Sequence, residues 1–457
     1  MSELSGVEIP VNAFDPASVK VFRYLSWEWE PSSGAVQLRY GFDDSHVFVE
    51  TISLPPAAGL DGEQEQAIRR AVRLLWLLSG VSYYKAAAPY EVSIDGGISA
   101  SEHDFLAEYY LHGLGEYAVV NGLDMTARPV WPAPSLIDAP ITVTSLTQRP
   151  LVAVGGGKDS VVSVETLRRG GLDPLQFTVN THPITSAVMA VSGLDVVHAH
   201  RSLDSSLLAL NETGALNGHV PVTAIVSLIA VSTALIVGVD TVVMSNERSA
   251  SEGNTTWHGR EVNHQHSKSL DFERGLADLV RSTVTPSLRY FSLLRALSEL
   301  HIAKLVAGLT EYHSTFTSCN KAFRLDPTVR TPRWCGNCDK CRFVSLALAP
   351  WLSRDEVTAI IGSDIFDHVE QAPGMRALLG IEAEKPFECV GEIAECRAML
   401  LLAASRPEWA EAPLIALLEP EIRAAGAPSD DDVDALLRPS TEHLIPENFP
   451  RPETVLG

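Results

Sequence analysis

The stretch Leu151-Val152-Ala153-Val154-Gly155-Gly156-Gly157-Lys158-Asp159-Ser160 decides the fold of this chain. Four apolar residues form a short buried strand and three glycines turn the chain. The apolar spacing Val161, Val164, Leu167 then starts a helix. Glycines let backbone N–H groups approach an anion closely and accept positive φ. The helix adds the partial positive charge of its N-terminus, and Lys158 adds a full one. Asp159 could position a metal ion bridging phosphates. A glycine turn before a helix also occurs without any ligand. Here strand, triple glycine, Lys-Asp-Ser and helix coincide, which favours a nucleotide polyphosphate on Gly155, Gly156, Gly157, Lys158, Asp159 and Ser160. The loop lacks the Gly-x-x-x-x-Gly-Lys-[Ser/Thr] spacing of a Walker site.

The same residues resemble the Ser-Gly-Gly-x-Asp-Ser signature of the N-type ATP pyrophosphatases, the PP-loop family. That resemblance implies cleavage of ATP between its α- and β-phosphates, usually to adenylate a carboxylate or carbonyl. Gly155 stands where the family usually has Ser, which removes one hydroxyl from the pyrophosphate cradle.

Composition bounds the rest. A chain of 457 residues with 46% hydrophobic content is long enough for two or three domains with real cores. The net charge of −22 gives a polyanion such as tRNA no global attraction, and no Lys/Arg run marks a local groove, so no nucleic-acid partner is expected. The start, Met1-Ser2-Glu3-Leu4-Ser5-Gly6, lacks the apolar region of a signal peptide, so a cytoplasmic protein is expected. The uncharged run from Pro221 to Val239 is long enough to span a bilayer. It contains Thr223, Ser227, Ser232 and Thr233 and runs into a β-rich segment, so it reads as a buried helix and core strand with no membrane role.

The expected fold is α/β, a parallel-sheet PP-loop core with an N-terminal α+β domain and a C-terminal helical region. Residues 1–145 start with strand-like runs Val21 to Trp29, Ala35 to Tyr40 and His46 to Leu54, separated by turns, as in an antiparallel meander. Helical segments near Glu63 to Leu78 and Glu102 to Val120 follow, and the Pro-rich stretch Pro129 to Pro134 reads as a linker. Over 146–345 strands and helices alternate, which implies a parallel sheet. Residues 346–457 are mostly helical and close in a charged, Pro-containing tail from Ser429 that reads as flexible.

In open α/β sheets ligands bind beyond the carboxyl ends of strands. Strand Leu175 to Val179 ends at Asn180-Thr181-His182-Pro183, which places Asn180 and Thr181 near an adenine or ribose. Strand Thr241 to Met244 opens onto Ser245 to Asn254, a loop dense in polar side chains; a merely solvated loop looks similar. With Val262 to Ser269 it reads as a substrate site.

These two segments carry a narrower resemblance. Asn246-Glu247-Arg248-Ser249-Ala250, Gly253-Asn254, Val262-Asn263-His264-Gln265, Ser267-Lys268-Ser269 and Phe272-Glu273 are similar to the UDP-N-acetyl-α-D-muramoyl-L-alanyl-L-glutamate epimerase family. Ser318-Cys319-Asn320, Trp334-Cys335-Gly336-Asn337-Cys338, Cys389-Val390-Gly391-Glu392, the N-terminal meander and the overall length fit the same family. The resemblance implies an ATP- and magnesium-dependent isomerase of peptidoglycan precursor synthesis. Its substrate would be a small molecule, a UDP-muramoyl dipeptide, whose terminal L-glutamate is inverted to D-glutamate. Removing the α-proton beside a free carboxylate creates a dianion, whereas an acyl adenylate neutralises that charge and acidifies the α-carbon. Inversion then needs one mobile base or two groups on opposite faces.

For that base, His264 and His266 alternate with Asn263 and Gln265, so an extended segment would put both on one face. A structural, hydrogen-bonded histidine is the alternative for each, and the resemblance points to His264. Glu247 and Lys268 are candidates for the partner acid or base, with Lys158 at the phosphates. Arg248 suits a bidentate carboxylate or phosphate contact, or a surface salt bridge. Asn246, Ser249, Asn254 and Asn263 complete the expected substrate contacts.

Six cysteines in a cytosolic-looking chain argue against disulfides. Cys335, Cys338 and Cys341 have Cys-x-x-Cys-x-x-Cys spacing, and with Cys319 they complete a thiolate set for structural zinc. An iron–sulfur cluster or free thiols are the other readings. Gly336 and Lys340 resemble zinc knuckles of deazapurine-forming PP-loop enzymes. Cys389 and Cys396, seven apart, would share a helical face and read as core. Two other functions remain open: an ATP-dependent ligase or amidating enzyme similar to the 7-cyano-7-deazaguanine synthases, and a nucleotide-binding regulator without turnover. The deazaguanine synthases lack so large an N-terminal domain. The oligomeric state is not legible.

Overall fold

A computed structural model describes residues 13–44, 46–324, 327–381 and 385–457. Eleven strands are defined in it: β1 Val21–Glu30, β2 Ala35–Phe42, β3 His46–Ser53, β4 Glu91–Ile94, β5 Thr147–Ala153, β6 Leu175–Val179, β7 Val196–Ser202, β8 Val239–Met244, β9 Thr255–Trp257, β10 Arg260–Val262 and β11 Arg289–Ser292. Nine of them make one mixed sheet in the order β11-β8-β5-β6-β7-β3-β2-β1-β4, and β9 and β10 form a separate hairpin.

The expected meander is present as antiparallel β1, β2 and β3. In β1 the buried aromatics are Phe22 and Tyr24, then Trp29; a register shift between Tyr24 and Ser26 moves the inward face by one residue. Strands β11, β8, β5, β6 and β7 pair with one another in parallel, as expected. The sheet runs without a break across residue 145, because Thr51, Ile52 and Ser53 of β3 pair antiparallel with Ser202, Arg201 and His200 of β7. A buried bidentate ion pair clamps that seam: Arg201 donates to Glu50 at 2.7 and 3.1 Å and to Ser82 Oγ at 2.9 Å.

Period-2 alternation splits the interior into two cores. Leu151, Val242 and Tyr290 face one, with the helices Gly62–Ser79 and Val222–Val237. Val152, Val243 and Phe291 face the other, with the helix Lys158–Arg169 and the C-terminal helices. The uncharged run from Pro221 is thus a helix packed between sheet and neighbouring helix, where Gln64 Nε2 donates to the Leu235 carbonyl at 2.7 Å. Among the described residues no helix is long and apolar enough to cross a membrane.

Two expectations change. The Pro129–Pro134 stretch is no free linker: Val130 bridges Glu91 and exchanges hydrogen bonds with neighbours of β4. The segment from Ser429, expected to be flexible, is docked. It forms a helix Asp430–Leu437 and then a strap in which Ser440 N donates to the Ala296 carbonyl at 2.7 Å and buried Phe449 meets Phe291 edge-on at 5.0 Å. Prolines and charges suggested solvation, yet sparse apolar side chains such as Ile445 and Phe449 suffice to pin an extended chain to the second core.

Candidate functional site

The strand ends point into one cavity of about 480 Å³, lined by Ala153 and Val154 after β5, Phe177 to Val179 of β6, Met244 to Asn246 after β8, and Gly155, Gly157, Asp159 and Ser160. Gly156 takes a positive φ of +86°, and a Cβ there would lie 3.1 Å from Thr185 Oγ1. Gly157 caps the helix Lys158–Arg169 without any side-chain hydrogen bond, so its first N–H groups remain available to an anion.

A small adjoining pocket of about 40 Å³, which shares Asp159, Lys268, Lys340 and Cys389 with this cavity, has a carboxylate cluster on one side. Lys158, buried, donates to Asp159 Oδ1 at 2.5 Å and to Glu299 Oε2. Burial opposes its charge, but Asp159 and Glu299 overcome this and raise its pKa. One oxygen each from Asp159, Glu247 and Glu299 lie within 4.8 Å of one another. Burial raises Glu299 against the pull of Lys158, and the carboxylates Asp159, Glu247 and Glu395 help bring it to about 8. Three hard oxygen donors gathered this closely suit magnesium.

The facing side of the same pocket is basic and holds Cys389, a thiol whose spacing reads as core. Cys389 lies ahead of the helix Ile393–Ala404, so its distance from Cys396 says nothing about a shared face; Cys396 is buried on that helix while Cys389 lines the cavity. Lys268 Nζ donates to Cys389 Sγ at 3.0 Å, and Lys340 Nζ donates to the Cys389 carbonyl. The His264 ring hydrogen-bonds the thiol and, through Nδ1, Glu116. Burial alone would raise the Cys389 pKa, but the Lys268 and Lys340 charges with the His264 and Lys268 hydrogen bonds bring it down to about 6. Burial likewise works against the His264 charge, yet Cys389 and Glu116 lift it to about 9. His219, its ring 4.3 Å from that of His264, is depressed to about 4 by burial and by the His264 charge. That side therefore holds a thiolate–imidazolium pair with Lys268 charged beside it. Sequence reasoning missed Cys389 as a site residue, and Glu116, His219 and Lys340 with it.

Four further thiols, Cys319, Cys335, Cys338 and Cys341, gather into a cluster of their own. The Sγ atoms of Cys319 and Cys338 are 3.9 Å apart, those of Cys335 and Cys341 3.8 Å, and those of Cys338 and Cys341 3.5 Å. Sulfurs about 2.3 Å from a tetrahedral zinc are separated by about 3.8 Å, so the four fit that ion. Thr317 N donates to the Gly156 carbonyl at 3.1 Å, which ties the cluster to the glycine loop, and Lys340 ties it to Cys389.

The remaining expected contacts divide. Asn246 lines the cavity and donates to Ser292 Oγ at 2.9 Å. Asn254 Oδ1 accepts from His264 N at 2.9 Å, and Asn263 braces the same turn by donating to the Ala250 carbonyl at 2.8 Å, so both position His264. Arg248 donates to the carbonyls of Leu436 and Arg438 and so holds the C-terminal strap. Ser249 is buried outside the cavity lining. Asn180, at φ +58°, turns onto the Arg201 backbone, and neither it nor Thr181 lines the cavity; Phe177, Thr178 and Val179 do. His264 and His266 do not share a face, because Asn263 to Lys268 forms a turn and a short 3-10 helix. His266, depressed to about 3 by burial and His112, faces a separate cavity of about 710 Å³ with Phe105 and Phe272.

A family model described as the MurL N-terminal domain matches residues 13–293, and one described as the MurL C-terminal domain matches residues 315–433. Relatives named UDP-N-acetyl-alpha-D-muramoyl-L-alanyl-L-glutamate epimerase are similar over most of the chain. The one from Salinispora tropica is 44% identical over 403 residues, 87% of this chain and 88% of the relative. The one from Xanthomonas oryzae pv. oryzae is 41% identical over 438 residues, covering 95% and 97%. A third, from a Micromonospora species, is 43% identical over 437 residues, covering 94% and 96%.

Proposed function

The chain belongs to the UDP-N-acetyl-α-D-muramoyl-L-alanyl-L-glutamate epimerase family, and we propose that it inverts the terminal L-glutamate of the UDP-muramoyl dipeptide through an acyl adenylate formed from ATP. The observation that carries this reading is a pair of adjoining cavities that share Asp159, Lys268, Lys340 and Cys389, so that a phosphate-type loop, a carboxylate cluster and proton-transfer groups face one site. The ATP phosphates lie on Gly155 to Ser160, in the manner of a PP-loop site, with the adenosine against Phe177 to Val179. Asp159, Glu247 and Glu299 would hold magnesium, which when bound neutralises phosphate charge. Lys158 supplies a buried cation at the pyrophosphate side. The substrate carboxylate displaces pyrophosphate from ATP, and the resulting adenylate acidifies the neighbouring α-carbon. That carbon then faces the side formed by Lys268, Cys389 and, behind the thiol, His264 with Glu116 and Asn254. Inversion and hydrolysis give the D-epimer and AMP. Cys319, Cys335, Cys338 and Cys341 hold a structural zinc that braces both sides.

The test is reaction in heavy water. Deuterium should enter the glutamate α-carbon of the product only when ATP and magnesium are both present. His264→Ala should slow deuterium entry by roughly 10²–10⁴-fold while pyrophosphate release on substrate addition persists. Exchange that proceeds equally well without ATP would overturn the adenylate route.

A further inference from the structure

Cys389 is hydrogen-bonded by both Lys268 and His264, and the three titratable groups are not equivalent. Cys389 and Lys268 line the cavity together with Asp159, whereas His264 is absent from that lining and sits behind the thiol. A base must carry a free lone pair where it meets the proton. Lys268 acts as a donor here, giving an N–H to Cys389 Sγ at 3.0 Å. His264, between Cys389 and Glu116, is held as an imidazolium near neutrality.

We propose that the Cys389 thiolate removes the glutamate α-proton on one face of the substrate, with Lys268, His264 and Glu116 as the groups that position and hold its charge. This rests on the adenylate reading above. The thiol itself meets Lys268 Nζ at 3.0 Å and the His264 ring, while Lys340 holds the Cys389 carbonyl and Glu116 holds the imidazole from behind. In the step the Cα–H bond breaks and an S–H bond forms, and the C–H electron pair moves onto the adenylated carbonyl oxygen as an enolate. A proton derived from water then adds to Cα from the opposite face as the enolate pair returns. The thiol returns its proton to solvent, and water hydrolyses the inverted adenylate to the carboxylate and AMP. The four thiols of the zinc set have no such role, because Cys319, Cys335, Cys338 and Cys341 face one another rather than a lysine and a histidine.

The test separates adenylation from proton transfer in the full-length protein. Cys389→Ala and the isosteric Cys389→Ser should keep dipeptide-dependent ATP–pyrophosphate exchange within about tenfold of the parent, while inversion falls by roughly 10²–10⁴-fold. In heavy water, with each epimer offered separately, the variants should lose α-deuteration of the epimer whose proton faces the thiol. The positioning role has its own readout: the pH midpoint for iodoacetamide alkylation of Cys389, near 6 in the parent protein, should rise in His264→Gln. Inversion slowed less than tenfold in Cys389→Ala would overturn the assignment. Loss of ATP–pyrophosphate exchange along with inversion would do so too, by placing the thiol in substrate binding. A thioester on Cys389 in acid-quenched parent protein would make it a nucleophile and overturn it as well. Absence of dipeptide-dependent exchange in the parent protein would instead overturn the adenylate reading itself.

Discussion

On one side of the site a continuous stretch supplies the glycine loop, Lys158 and Asp159, with Glu247 and Glu299 closing around them. On the other, Glu116, His219, His264, Lys268, Lys340 and Cys389 arrive from segments far apart in the chain. The charges are opposed. The first side gathers three carboxylates about one lysine, and the second gathers two lysines and an imidazolium about one thiolate. An excess of carboxylate calls for a cation and its phosphates, and an excess of cation keeps a thiol ionised. In the proposed reaction the first side serves activation and the second proton transfer, a division that the opposed charges support.

The cysteine cluster joins the two sides, through Thr317 to Gly156 and through Lys340 to Cys389, so breaking it should have the largest effect. Purified parent protein should carry about one zinc per chain. Cys338→Ser should lose that zinc, most of its soluble yield, and both ATP–pyrophosphate exchange and inversion. A zinc-free, fully active Cys338→Ser protein would separate the cluster from both sides.

Asp159→Ala should strike one side alone. Pyrophosphate release should fall by roughly 10²–10³-fold with the circular dichroism spectrum unchanged. The alkylation rate of Cys389 should stay close to that of the parent protein. Normal pyrophosphate release from folded Asp159→Ala would remove the first side from catalysis.

A smaller effect is expected from pH. Glu299 is raised from 4.5 to about 8, so folding favours its protonated form. That contribution is fully present below the unfolded value and is lost as pH rises through the folded one. The metal-free protein should therefore lose a few degrees of Tm between pH 4.5 and about 8. Glu299→Gln should flatten this slope, and added magnesium should reverse it in the parent protein. An unchanged slope in Glu299→Gln would mean that the cluster is not what senses pH.

The same contrast decides how much could be read from sequence. The glycine loop, the meander and the buried helix from Pro221 were legible because each is encoded by neighbours in the chain, through period-2 or helical spacing and turn residues. The thiol side was not. Cys389 has no local signal, because the lysines and histidine that alter its chemistry lie on other segments. Spacing to Cys396 even misdirected, since only one of the two is helical. His264 was singled out but its companion was mistaken, because alternation was applied to a segment that turns at Asn263. Arg248 illustrates a third limit: its planar fork suits a carboxylate, yet the C-terminal strap offers backbone carbonyls first.

The smallest and most local prediction concerns Gly155, where the chain departs from the Ser of the PP-loop pattern. The three glycines are not alike. Gly156 needs its positive φ, and a side chain there would press on Thr185, so Gly156→Ala should destabilise the loop. A Cβ on Gly155 meets nothing within 4 Å, and its φ is not in the left-handed region. Gly155 also lines the cavity, so a side chain there would reach the phosphates rather than the core. Gly155→Ser should thus leave Tm unchanged and add one hydrogen bond to the nucleotide, worth about 0.5–1.5 kcal/mol. That corresponds to a KM for ATP roughly 2–10-fold lower, with little change in the inversion rate at saturating ATP. A higher KM in a stable Gly155→Ser protein would mean that the phosphates do not pass over this residue, and the first side of the comparison would have to be redrawn around Gly157 and the helix N-terminus.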